Sequence, residues 1–242
     1  TIETIGAKNL DFRITHRFTN IGGSSGGINT LFGFDNVTDI RLAFEYGVTD
    51  NLTIGAGRSK GGFLDGFIKY KALQQTTNNK MPFAVTLLAN TGLKTVGKDG
   101  IADSLFKYAY RHSYVFEAII ARKFSSNFSF ELIPLFIHRN IVEFDDENDL
   151  FALGAGLRYK FTPSMAILLD YFHTFSEIRT AESGYYAPLG VGFEIETGGH
   201  VFHVTFTNVP TIVQNQFIPD SPHSWEDWEF KFGFNISRVF QF

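Results

Sequence analysis

The stretch WEFKFGFNIS, Trp228 to Ser237, sets Trp228, Phe230, Phe232, Phe234 and Ile236 against Glu229, Lys231, Gly233, Asn235 and Ser237 without a break. Successive side chains of an extended strand point to opposite faces, so this segment predicts a strand with one apolar and one polar side. The same period runs back through the chain. Leu10, Phe12, Ile14 and Phe18 oppose Asp11, Arg13, Thr15 and Arg17, and Ile40, Leu42, Phe44 and Tyr46 oppose Asp39, Arg41 and Glu45. Further two-faced runs lie at Leu52–Ala56, Phe83–Lys94, Tyr108–Ile120, Phe128–Leu132, Phe151–Tyr159, Ile167–Tyr171, Val191–Glu196 and Phe202–Thr207. A less regular run at Leu64–Lys71, where Phe63 and Phe67 blur the parity, brings the count to about twelve, an even number as bacterial barrels have.

The connections alternate in length. Long polar or Gly-rich segments fall at 19–36, 92–105, 139–149, 176–187 and 208–226, and the short turns VTDN, KFSSN, KFTPS and TGGH fall between them. Two connections break the alternation, a short one at Arg58–Gly62 and a longer one at Ala72–Pro82. Long loops outside and short turns on the periplasmic side are the outer-membrane arrangement. The expectation is therefore an all-β fold: one domain over residues 1–242, a closed antiparallel transmembrane β-barrel of about twelve strands, integral to a bacterial outer membrane.

Composition fits this reading and removes others. The 242 residues include 28 Phe, yet only 44% are apolar, and no uninterrupted apolar run reaches the roughly 18 residues of a spanning helix. Cysteine is absent, which excludes disulfide scaffolds, thiolate metal sites and cysteine nucleophiles. A formal charge of −4 gives no basic footprint for nucleic acid. The sequence starts at Thr1 with no basic and apolar leader, so an export signal is expected to have been removed. Twelve strands enclose more space than an apolar interior could fill, so the apolar parity is expected to meet lipid. Tyr46, Tyr108, Tyr159, Trp225 and Trp228 would form the interfacial girdles, and Phe240 and Phe242 resemble the C-terminal signal read by the barrel-insertion machinery.

The segment IRLAFEYGVTDNLTIGAGRS, Ile40 to Ser59, follows a Gly-rich stretch at Gly22–Gly27 and LFGFD at Leu31–Asp35. With these it resembles a family of Bacteroidota outer-membrane barrels, a domain of unknown function. The resemblance implies fold and location and transfers no site residue.

The inward parity collects a charged network of Arg13, Arg17, Arg41, Glu45, Arg111, Glu117, Glu131, Arg158, Asp170, Glu194, Glu196 and Lys231, with the signs nearly balanced. Such charges are expected to pair across the lumen, as Arg41 or Arg111 with Glu117, Glu131 or Glu194, and to narrow it. No cofactor or metal is expected. The acidic run Asp145, Asp146, Glu147, Asp149 lacks EF-hand spacing, His138, His173, His200 and His203 lack zinc-protease spacing, and GAGRSKGG at 55–62 lacks the strand-turn-helix setting of a phosphate loop. No catalytic constellation stands out, since His112 and Ser113 point to opposite faces. The leading functional expectation is a structural or accessory subunit of an outer-membrane assembly. The alternative is a narrow porin-like channel for small polar solutes, and an outer-membrane hydrolase comes third. The expected partners are the lipid bilayer, the insertion machinery and outer-membrane proteins met through the extracellular loops.

Overall fold

The computed structural model describes residues 1–95 and 107–242. Twelve strands, β1 (Asn9–Asn20), β2 (Val37–Gly47), β3 (Leu52–Ser59), β4 (Phe63–Leu73), β5 (Ala84–Lys94), β6 (His112–Lys123), β7 (Phe128–Arg139), β8 (Asp149–Thr162), β9 (Met165–Phe175), β10 (Leu189–Thr197), β11 (His200–Thr207) and β12 (Lys231–Gln241), pair in sequence order. β12 then pairs with β1 and closes the barrel, and every pairing is antiparallel. The turns 48–51, 124–127, 163–164 and 198–199 lie at one end with both chain termini; the opposite end carries 21–36, 140–148, 176–188 and 208–230. Residues 96–106 of the β5–β6 connection, which take in most of the long segment expected at 92–105, lie outside the described residues.

Period two decides which face meets which solvent. Leu42, Phe44, Ile68, Leu87, Phe116, Phe151 and Phe193 stand on the outer face with large exposed areas, which in a bilayer means contact with acyl chains. Tyr46, Tyr70 and Tyr159 flank this belt near the periplasmic turns, and Tyr108 and Trp228 near the long loops. Among the described residues no helix is long and apolar enough to cross a membrane, a test that does not apply to strands.

Several local expectations need correction. Tyr108–Arg111 forms a 3-10 turn ahead of β6, so Arg111 is not on a strand; its guanidinium donates to the carbonyls of Lys94 and Thr95. β12 starts at Lys231, because Trp228 turns with a φ of 61° and Phe230 stacks on Trp225, ring centroids 4.5 Å apart. Pro134 has no amide N–H to give to a ladder, which predicts a bulge or a strand end, yet the strand shows neither. Pro134 sits within β7 facing outward, in unbroken register opposite Leu153 of β8, and the β6 ladder simply resumes on either side of it.

Candidate functional site

The charged residues of the wall do not meet across the barrel. Twelve strands close at a diameter of roughly 23 Å between backbones, well beyond the joint reach of an arginine and a glutamate. They pair along the wall instead. Arg41 of β2 passes over β3 to hold Asp65 of β4 by two bonds, Nε–Oδ1 at 2.8 Å and Nη2–Oδ2 at 2.5 Å. Gly57 makes this crossing possible, since a Cβ there would lie 2.7 Å from the guanidinium; the glycine-rich 55–62 run thus clears space for a lumen side chain. Arg13 bonds Asp11 at 2.9 Å and reaches Glu45 at 3.5 Å. Arg158 bonds Glu194 and Glu196, Glu196 also meets Lys160 at 3.4 Å, and His203 meets Glu194 at 3.2 Å.

Other members of the expected network hold a loop instead of each other. Residues 208–230 fold into the extracellular mouth, with Val209, Val213, Asn215, Ile218 and Ser221 buried there. Arg17 Nη1 donates to the carbonyls of Val209 and Thr211, and Lys231 Nζ to those of Asn208 and Glu229 and to Asn20 Oδ1. Glu117 accepts from Gln214 in the one-turn helix α1 (Gln214–Phe217), Ser113 from Asn215, and Asp39 from the Ile212 amide. Strands β1, β2, β6 and β12 therefore each hold this one loop, and Leu189 of β10 joins them through Asn208 and Trp225.

Beneath that loop the lumen has two unlike halves. On β6 to β9, Val115, Ile119, Ile133, Leu135, Ile137, Leu150, Ala152 and Phe172 face inward and pack with Ile218 and Phe217 into a closed apolar cluster. The Phe172 and Phe217 rings meet edge to face at 5.6 Å. Residues 1–5 occupy part of the periplasmic half beside β3 to β5, where Thr86 donates to the Ile2 carbonyl and Lys69 to that of Glu3. On β8 to β12 and β1 several inward polar groups keep accessible surface, Arg158 and Arg13 at about a third, Glu196 at 43%, Asp170 exposed and Asn235 and Ser237 partly so, while Asp11, Thr15, Thr174, Thr207 and Lys231 on the same strands are buried. Glu131 faces inward from β7, with its side chain over Gly156 of β8. The both-parity apolar runs at 118–121 and 132–137 were the legible sign of the packed half, because strands buried on both faces lose alternation.

Three carboxylates of the acidic run, Asp146, Glu147 and Asp149, are bound internally. Asp146 takes bonds from Arg179 at 2.6 Å and Arg139 at 2.9 Å, and Glu147 pairs with Arg179 at 3.0 Å. Arg179 also donates to the Pro219 carbonyl, so one guanidinium joins loops 140–148, 176–188 and 208–230. Asp149 pairs with His138 at 2.6 Å. Burial alone would raise the Asp146 pKa, but the Arg179 hydrogen bond and the nearby guanidinium charges outweigh it and hold the carboxyl below its ordinary value. A carboxylate with a depressed folded pKa stabilises the fold above its unfolded pKa, and that contribution is lost as pH falls through the lower, folded value. The clamp is thus expected to hold unchanged through neutral pH and to open only in strong acid. Asp146→Asn should loosen it at pH 7 by about 1–3 kcal/mol, read as faster protease cleavage within these loops; cleavage at the native rate would deny the clamp its role.

Phe240 lies opposite Leu10 on the closing seam, and Phe242 beyond it is exposed, its amide donating to the Lys8 carbonyl.

A closed antiparallel barrel with an apolar outer belt, a partly polar inner wall and long loops gathered at one end is an integral outer-membrane β-barrel protein. Residues 1–240 match the model of the membrane-bound β-barrel domain family DUF5777, and the chain belongs to that family. Among solved structures it resembles the NanC porin at 8% identity and a TM-score of 0.58, over 95% of this chain and 98% of that one. It also resembles the KdgM porin (9%, 0.57, 96% and 99%) and the COG4313 outer membrane channel from Pseudomonas putida F1 (13%, 0.54, 99% and 98%). At these identities the likeness is one of fold. No curated protein matches the sequence.

Proposed function

We propose that the protein is a narrow channel for small polar solutes, with its aqueous path confined to the β8–β12 and β1 side and shut on the extracellular side by residues 208–230. The observation that carries this reading is the asymmetric lumen, in which inward polar side chains from Glu196 to Asp170 retain accessible surface while the opposite wall is packed. Balanced charge along that path gives no strong preference for anions or cations, which suits small neutral or zwitterionic solutes. The fold likeness to porins and an outer-membrane channel supports the same reading. An accessory-subunit role drew its support from charges packing the lumen shut, and pairing along the walls removes that support.

Planar-bilayer recording tests the proposal. The native protein is expected to show only sparse, small openings, whereas a variant with residues 210–222 replaced by a short Gly-Ser linker should conduct steadily. A loop-replaced barrel that inserts, keeps its folded gel mobility and stays silent would overturn the channel reading.

A further inference from the structure

Under the 208–230 loop lies a cavity of about 120 Å³ whose lining includes Arg17, Asp170, Thr205, Thr207, Val209 and Phe217. Two opposite charges face it from different walls. Arg17 is set there by an irregularity in β1, whose register shifts just after it against both β2 and β12. Its Nη1 is committed to the loop carbonyls, while its buried Nε has no partner. Asp170 projects from β9 over Gly190 of β10, where a Cβ would come within 2.7 Å of the carboxylate. Among the described residues it forms no ion pair and accepts no hydrogen bond, and its side chain lies open to the cavity. A guanidinium donor and a free carboxylate, facing one cavity but not in contact, form a site for a molecule carrying the complementary charges at its two ends. The threonine hydroxyls add polar contacts, and Val209 with Phe217 supplies a small apolar wall.

Size narrows the class. An apolar cavity of about 150 Å³ accommodates benzene, so the space here suits about five or six non-hydrogen atoms. We propose that this cavity binds a small zwitterion of the α-amino-acid type, of the size of glycine or alanine, with its carboxylate on Arg17 and its ammonium on Asp170. The site belongs to the resting, loop-closed protein, so it goes beyond the channel reading and does not require conduction.

Equilibrium dialysis of the full chain in detergent against labelled L-alanine tests it, with acetate and methylammonium as probes that each carry one end of the zwitterion. Saturable binding of one alanine per chain is expected, with each single-ended probe at least tenfold weaker. Asp170→Asn should weaken alanine at least tenfold, and Thr205→Ile, which fills the cavity without touching either charge, should abolish binding, both with unchanged gel mobility. Acetate binding as tightly as alanine, undiminished binding by Asp170→Asn, or no saturable binding by the native protein would overturn the proposal. Should either variant fail to fold, the comparison of the three probes on the native protein still decides it. Conductance enters none of these readings, so the fate of the channel proposal is judged separately.

Discussion

Asp65→Ala is expected to cost about 3–5 kcal/mol, the scale for removing one partner of a buried ion pair. Asp65 has 1% of its side chain exposed and Arg41 11%, and both Asp65 oxygens are taken by the guanidinium. Deleting the carboxylate leaves Arg41 stretched across Gly57 with no anion and little water. The loss comes from the stranded charge more than from the bond, so the double variant Arg41→Met/Asp65→Leu should be far less damaging than Asp65→Ala alone. Urea unfolding in lipid vesicles measures both. A single variant no worse than the double would mean that water reaches the pair freely.

Leu42→Arg is the second large effect, about 2–4 kcal/mol, because Leu42 is central in β2, on the outer face and 48% exposed. Asn235→Arg, on the inner face of β12 with accessible space around it, should cost much less. Phe232 is a poorer probe of the bilayer centre, since it is the second residue of β12 at the extracellular rim, where an arginine costs only about 0–1 kcal/mol before its contacts with Phe18, Phe34 and Phe206 are counted. Equal losses for Leu42→Arg and Asn235→Arg in vesicle unfolding would reverse the two faces.

The outer face was legible because lipid imposes one demand on every strand, and period two records it from Leu10 to Ile236. The inner face answers to several demands. Arg17, Glu117 and Lys231 carry the same sequence signature as Arg41 and Glu194, yet they bond a loop, and parity alone cannot tell a wall partner from a loop partner. The loop did leave a trace: Val209, Ile212, Val213, Phe217 and Ile218 make NVPTIVQNQFIP too apolar for a segment facing only water. Arg111 was misplaced because Tyr108 and Tyr110 extend the alternation of β6 backwards, while the backbone there already turns. The Arg17–Asp170 cavity joins strands at 153 positions' separation along the chain by way of a register shift, which no local pattern encodes.

A lumen with one packed half and one aqueous half should differ in reagent access from strand to strand, and a chain without cysteine allows this to be read residue by residue. Single-cysteine variants at Asn235, Ser237, Val115 and Ile137, in folded barrels in detergent, are treated with a charged, water-soluble thiol reagent. Rapid labelling at 235 and 237 and protection at 115 and 137 is the predicted result; equal labelling at all four positions would contradict it.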